Sequence, residues 1–264
     1  MTTISVLSLS YNDEQCIDMY LDGALTVADE IIILDGGSTD LTVPIIKQFQ
    51  EKYPEKIKLI HGLNVCPEAY EKQIKDQYGR VLQNGHFGQM RQYLYSQATG
   101  DWVFWLDTDE AVSDNARETI FNVLKQNPEF DCFDVEYIHF VHDFSHIDNS
   151  EPVHIGINRL HKRIPDVRFD FYNHALPQAQ WKCKGQLYKH VMIYHLGYAK
   201  NLFDIWERYK RNLLYSEMHT GMQMCFWRDW HYFDYAKKKV NPQQIGIPQA
   251  IIKRFEFGNY EQRL

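Results

Sequence analysis

The 264 residues predict an α/β fold: a mixed, mostly parallel sheet flanked by helices, followed by a helical, aromatic C-terminal extension over 201–264. Three observations carry this. From residue 4 to about residue 60, short apolar runs alternate with segments of helical periodicity, the pattern of a doubly wound sheet joined by right-handed crossovers. Trp102 to Leu106 is a continuous apolar run rich in β-favouring residues, as a strand buried on both faces requires. That run stops at Asp107-Thr108-Asp109-Glu110, and the open edge where such strands end is where α/β proteins keep their sites.

Taken in order, Ile4 to Leu9 is the first buried strand. Ser10 to Glu14 turns the chain into a helix with Ile17, Tyr20, Leu21 and Leu25 on one face. Ile31 to Leu34 is the second strand. It delivers Asp35 to the sheet edge, where a carboxylate can read a nucleoside, and Gly36-Gly37 lets the backbone approach a ligand closely. Ser38, Thr39 and Asp40 supply caps for a helix from about Leu41 to Phe49, and Lys56 to Ile60 is the third strand. Asn64 to Gly88 reads as a polar, helical insertion covering the site. Gln89 to Gln97 is a helix with Met90, Tyr93 and Leu94 inward. Arg91 at its start suits an anion held by a helix N-terminus.

Beyond the acidic turn, Asn115 to Lys125 reads as a helix and Cys132 to Val141 as a strand. His139, His142, His146 and His154 crowd the next stretch, but its apolar pattern is that of strand and loop and not of a zinc-binding helix face. Ile155 to Arg163 and Val167 to Phe171 are expected to pair. Val191 to Tyr198 ends a strand in His195, a residue placed like a ligand. Leu202 to Met218 is helical. The tail that follows mixes Trp227, Trp230, Tyr232, Phe233 and Tyr235 with Lys237 to Lys239, which suits either core packing or contact with an acceptor.

The composition narrows the class. No apolar run reaches the roughly 18 to 20 residues of a spanning helix, so no transmembrane segment is expected and the chain reads as soluble and cytoplasmic, with peripheral membrane association open. Its 5 cysteines lie far apart without C-x-x-C spacing, which points away from a zinc ribbon or disulfide framework. The net charge of −7 hides an asymmetry: residues 1–150 hold 10 Lys+Arg against 25 Asp+Glu, and residues 151–264 hold 18 against 10. An acidic half suits a metal and a nucleoside, whereas a basic half suits phosphate groups.

Four features resemble the family 2 glycosyltransferases of the GT-A fold, whose core is Rossmann-like and nucleotide-binding. They are Ile4-Ser5-Val6 to Asn12-Asp13-Glu14, the turn Asp35 to Asp40, Ala98-Thr99-Gly100-Asp101-Trp102 leading into Asp107 to Glu110, and Tyr194-His195-Leu196-Gly197-Tyr198. The resemblance implies a catalytic domain over 1–200, with a nucleotide-sugar half at 1–110, an acceptor half at 111–200 and the extension packed on it. It implies that Tyr11, Glu14, Asp35 and Gly36 surround the nucleoside and that Arg91 and Asp107 lie by the diphosphate. Asp107 and Asp109 would bind Mn²⁺ or Mg²⁺, with His195 as a third ligand.

The expected reaction moves a sugar from a nucleotide sugar, a uridine diphosphate sugar by preference, to an acceptor hydroxyl with inversion. Relatives place a glutamate after the histidine of the segment aligned with Asn173-His174-Ala175, and Ala175 stands there in this chain. The general base is therefore open among Glu110, Asp143, Asp170 and His174, with Asp170 favoured. A glycan or lipid-linked acceptor is the default, and a hydroxylated base in DNA is the alternative, suggested by the basic second half. A nucleotidyltransferase and a catalytically silent nucleotide-sugar-binding module are the readings of another class. Oligomeric state stays open, because an apolar tail can be core or interface.

Overall fold

The computed structural model describes residues 2–65, 74–75, 81–83, 87–141, 146–148, 155–169, 177–184, 192–199, 237–239, 248–249 and 251. Strand β1 (Ile4–Ser10) is followed by α1 (Ile17–Val27), β2 (Glu30–Asp35), α2 (Thr42–Lys52) and β3 (Ile57–His61). All three strands run parallel, with Leu7 opposite Ile32 and Ile33 opposite Leu59. Continuous apolar runs suit strands covered on both faces, and Ile31 to Leu34 are fully buried. After a helical turn α3 (Gly62–Val65) come β4 (Ile74–Lys75), β5 (Val81–Gln83), α4 (Phe87–Gln97) and β6 (Trp102–Trp105). β6 returns to the other side of β1, in parallel, with Ile4 opposite Trp102.

Past β6 the sheet changes direction. β7 (Glu110–Val112), α5 (Ala116–Gln126), β8 (Cys132–Val141), β9 (His146–Asp148) and β10 (Ile155–Lys162) lead to the short β11 (Arg168–Phe169), β12 (Pro177–Gln178) and β13 (Cys183–Lys184). β14 (Met192–Tyr198) and β15 (Lys237–Lys239) follow. Among the described residues the main sheet has 11 strands, ordered β15-β9-β8-β10-β6-β1-β2-β3, with β13 and β14 also on β8 and β7 on β14. β10 is antiparallel to both β6 and β8, so the sheet is mixed, with its parallel part at the N-terminal end. One face is closed by α1 and α5 through Tyr20, Leu21, Ile120 and Val123. The other is closed by α4 through Met90, Leu94 and Tyr95.

Three expectations change. Of Asn64 to Gly88, expected to be helical, Asn64 and Val65 lie in α3 and Phe87 and Gly88 open α4, but Ile74–Lys75 and Val81–Gln83 pair as antiparallel strands, and the remainder lies outside the described residues. Among the described residues, Ile155 to Arg163 and Val167 to Phe169 do not pair with each other: β10 inserts between β6 and β8, whereas β11 pairs with β12. Helix α4 begins at Phe87 and not at Gln89, so Arg91 sits in its second turn, away from the free N–H groups. The helix expected over Leu202 to Met218 lies outside the described residues, as does most of the extension.

His161 records how tightly β10 is held. Trp105 Nε1 donates to His161 Nε2 at 3.0 Å, and His161 Nδ1 meets the Lys162 carbonyl at 3.1 Å. Its ring is fully buried and lies 4.4 Å from that of Trp181. Burial pushes its pKa down to about 4. The unfolded chain takes this proton near pH 6.5 and the folded one does not, so the stability it confers is complete above 6.5 and is lost as pH falls towards 4. The loss is about 3 kcal/mol at about 1.4 kcal/mol per unit. Urea midpoints should fall between pH 7 and 4.5, and less steeply in His161→Gln; equal slopes would show that another group governs the acid limb.

Candidate active site

The site is built where β1, β2 and β6 end. After β2, Asp35 folds its own turn: Oδ2 accepts the Gly37 and Ser38 N–H groups at 2.9 and 3.0 Å, and Oδ1 accepts the Ser38 hydroxyl at 2.5 Å. Gly37 has φ +91, which a side chain disfavours, and a Cβ there would lie 3.3 Å from Leu63 Cδ1. The β1 loop is laced to this turn. Ser38 Oγ accepts the Asn12 N–H at 2.9 Å, and Asn12 Oδ1 accepts the Thr39 N–H at 2.8 Å. Glu14 Oε2 accepts the Leu41 N–H at 2.9 Å and Asp40 Oδ1 accepts the Thr42 N–H at 3.0 Å, so the start of α2 is capped by these two carboxylates. Tyr11 stands 37% exposed beside Gly36. Tyr11, Glu14, Asp35 and Gly36 therefore share one loop cluster, in which Asp35 and Glu14 also brace the backbone.

Thr108 ties that cluster to the acidic turn. Its hydroxyl lies 2.5 Å from Asp13 Oδ2 and 3.1 Å from the Leu9 carbonyl. Asp107 projects beside it, and Arg91 Nη2 donates to its Oδ1 at 3.0 Å while Arg159 Nη2 donates to its Oδ2 at 3.1 Å. Arg159 Nη2 also reaches Glu110 Oε1 at 3.2 Å, and Glu110 Oε2 accepts the Asp107 N–H at 2.8 Å. The guanidiniums rest on aromatic faces, Arg91 over Trp105 at 4.9 Å and Arg159 over Tyr137 at 5.5 Å.

These contacts set the charges. Burial pushes the Asp107 carboxyl up, but Arg159 and Arg91 outweigh it and hold its pKa down at about 2. Glu110 goes the other way. Its burial, with Asp107 and Asp109 nearby, pushes it up to about 8 against the pull of Arg159. Burial lowers the Arg91 pKa, with Asp107 opposing.

Strand pairing brings in the remaining residues. His195 lies opposite Glu110 in the β14–β7 ladder and opposite His139 in the β14–β8 ladder. The Leu196 N–H donates to the Asp109 carbonyl at 2.7 Å, which sets His195 Nε2 3.6 Å from Asp109 Oδ2. His139 Nδ1 and His195 Nδ1 are 3.0 Å apart, an arrangement that turns Nε2 of His195 towards Asp109.

Asp109 and His195 thus offer oxygen and nitrogen donors suited to a divalent cation, with Asp107 two residues away in the same turn. Asp107, however, is committed to two guanidiniums. Among the described residues no group of three His, Cys, Asp or Glu side chains is already arranged to hold a metal ion.

Of the sequence-predicted residues, Arg91, Asp107, Asp109, Glu110 and His195 converge at one point, and the Tyr11–Gly36 cluster borders it. Asp143, Asp170 and His174 lie outside the described residues. Sequence reasoning missed Arg159, Tyr137 and Thr108. Nothing local in the sequence singled out Arg159, because β10 is placed by its distant partners β6 and β8.

Comparison with known proteins bears on the family and the fold. Residues 5–64 match the model of Glycosyl transferase family 2. The chain is 25% identical over 257 residues to the SPbeta prophage-derived glycosyltransferase SunS of Bacillus subtilis strain 168, and equally to glycosyltransferase SunS of Bacillus phage SPbeta. The alignment takes in 90% of this chain and 53% of each relative, so the chain spans about half the length of the curated relatives it matches. Among solved structures, S. aureus TarS 1-349 superposes with a TM-score of 0.50 at 12% identity, covering 88% of this chain and 78% of that one. That likeness concerns the fold, and it agrees with the mixed α/β sheet. The family matched over residues 5–64 is the one that the motifs resemble. Among the described residues no helix is long and apolar enough to cross a membrane.

Proposed function

We propose, from a chain whose residues 5–64 are a family 2 glycosyltransferase segment, that it transfers a sugar from a nucleotide sugar to an acceptor hydroxyl. The observation that carries this is the acidic turn itself, with Asp107 held by two buried arginines and Asp109 beside His195, at the sheet edge that also bears the Asp35–Ser38 turn. A nucleoside seats against Tyr11 and Gly36, and a diphosphate extends towards Asp107 and its arginines. The favoured donor is a uridine diphosphate sugar.

The acceptor oxygen forms a bond to the anomeric carbon as the bond from that carbon to the diphosphate oxygen breaks. The acceptor proton passes to a general base, Asp170 by preference, with Asp143 and His174 as the alternatives. Glu110 is better suited to positioning than to proton transfer: it is 1% exposed, and its two oxygens hold the Asp107 N–H and Arg159. Negative charge builds on the departing diphosphate, where Arg91 supplies a fixed positive charge. A bound Mn²⁺ or Mg²⁺, held by Asp109, His195 and Asp107, would add Lewis-acid stabilisation of that charge.

A glycan or lipid-linked acceptor is favoured. A hydroxylated DNA base is the second reading, supported by the basic second half and by the strand Lys237–Lys239 at the outer edge of the sheet.

Titration calorimetry of uridine, guanosine and thymidine diphosphate sugars, with Mn²⁺ and then with chelator, tests the reading. One donor should bind in a metal-dependent way. Asp109→Ala should weaken it about 100-fold, or about 2.7 kcal/mol. No binding of any donor would overturn the nucleotide-sugar reading, donor binding without transfer would leave the silent module standing, and salt-sensitive DNA binding by the intact chain would favour the DNA acceptor.

A further inference from the structure

Arg159 reaches the acidic turn through a backbone irregularity. The β10–β8 register shifts between Gly156 and Leu160, and inside that bulge Asn158 takes φ 54. Bulges re-aim side chains beside active sites, and a positive φ in a residue other than glycine needs outside support. Here the Asn158 N–H donates to Asp134 Oδ1 at 2.8 Å, and its side-chain oxygen accepts from Cys132 Sγ at 2.9 Å. The next residue is Arg159, whose guanidinium is turned onto Asp107 and Glu110, with Nη1 3.4 Å from the Trp105 carbonyl.

The burial is graded along this group. The side chains of Arg91 and Arg159 are 9% and 14% exposed, whereas that of Asp107 is 36% exposed. The carboxylate is thus the outward member, backed by two buried cations. A divalent ion coming from solvent meets Asp107 first, but it meets an Asp107 whose two oxygens already face positive charge. Bringing a further +2 beside two guanidiniums is opposed by repulsion that low local polarity strengthens.

We propose that Arg159 is a built-in counter-cation of Asp107, exchanged for the divalent ion when the donor complex assembles; this rests on the cation and donor reading above. Asp107 turns from Arg159 to the ion, Glu110 keeps Arg159 in place, and the guanidinium is left with charge directed at the incoming diphosphate. No covalent bond changes in this exchange. Its consequence is a coupled order of affinities: the ion alone binds weakly, and the ion with the diphosphate binds well, because the diphosphate neutralises the arginine that Asp107 has left.

The test measures Mn²⁺ binding to the nucleotide-free protein by electron paramagnetic resonance of the free ion, and uridine diphosphate binding at saturating Mn²⁺ by calorimetry. The proteins are wild type, Arg159→Met, Arg159→Lys and Arg159→Met/Glu110→Gln. Arg159→Met should tighten Mn²⁺ by at least about tenfold and weaken the diphosphate by at least about tenfold. Arg159→Lys should stay near wild type in both. The double variant, which removes the partner left buried and unpaired, should reproduce the opposite shifts if Arg159→Met alone folds poorly. A merely structural arginine would weaken both ligands together. Mn²⁺ binding to wild type with no gain in the variants overturns the exchange alone. No Mn²⁺ binding in any protein removes the cation reading of the turn and the exchange with it.

Discussion

Replacing Asp107 with alanine is expected to stop turnover and to destabilise the protein together. Two guanidiniums, each largely buried, converge on its carboxylate at 3.0 and 3.1 Å. Removing the anion leaves Arg91 and Arg159 facing each other without it. Breaking one side of a buried ion pair costs about 3–5 kcal/mol, because the remaining charge keeps its desolvation penalty and loses its attraction. At about 2–4 °C per kcal/mol for a chain of this size, the melting temperature should fall by roughly 10 °C. Donor turnover should fall by about 10³-fold, the scale seen when one group that stabilises a developing charge is removed. Asp107→Asn keeps the volume and separates the effects: it should recover part of the stability and little of the activity. A stable and active Asp107→Ala would show that the arginines are neutralised from elsewhere and that the turn has another task.

Gly100→Ala should be as damaging without touching any reacting group. A Cβ on Gly100 would fall 2.6 Å from Ser5 Oγ, 2.8 Å from the Ser5 nitrogen and 3.2 Å from the Ile4 carbonyl carbon. Two of these three atoms are backbone of β1, so no rotamer change relieves the clash. The only relief is a shift of β6 away from β1. That shift would disturb a shared hydrogen-bond cluster. The Gly100 N–H donates to Ser5 Oγ at 2.8 Å, Ser5 Oγ donates to Glu30 Oε1 at 2.5 Å, and the Thr99 N–H donates to the same oxygen at 2.6 Å. Burial pushes the Glu30 carboxyl up, but these donors win and its pKa is lowered. The expected cost is about 3 kcal/mol or more, at the upper end for overpacking, with donor binding reduced because β6 carries the acidic turn. Gly36→Ala is the control. Its Cβ would meet nothing closer than 3.4 Å, so stability should change by less than about 1 kcal/mol.

The parts of this architecture written in short stretches of sequence were legible there. β1, β2, β6 and β8 are apolar or alternating runs whose type follows from local pattern, and the acidic turn announces itself by standing at the end of one of them. His195 was expected to end its strand, but it stands in the middle of β14 and is paired on both sides. Its place beside Asp109 was suggested only by family likeness and follows from the Leu196 N–H bond to the Asp109 carbonyl. Arg159 was not legible, because its meaning depends on β10 inserting antiparallel between β6 and β8 and on a bulge at Asn158, both of which are decided by distant partners. The expected pairing of β10 with the Val167 segment failed for the same reason. Proximity in sequence suggested a hairpin, and burial against β6 prevailed. Glu14 and Asp35 were correctly placed at the loop edge, but sequence could not show how fully they brace the backbone.

The position of β1 between β2 and β6 also bears on how the chain comes together in time. β1 and β2 meet across a sequence separation of about 25 residues, whereas Thr3 meets Asp101 across 98. Closing the longer loop costs roughly 1 kcal/mol more in chain entropy, and pairings between distant segments are slow to form. A nascent or refolding chain is therefore expected to assemble its first parallel strands early and to recruit β6 later, with β10 closing behind it. The loops at the ends of β1 and β2 would then take shape before the acidic turn. The chain would pass through a stage in which the loop cluster around Asp35 is formed and the ionic knot at Asp107 is not.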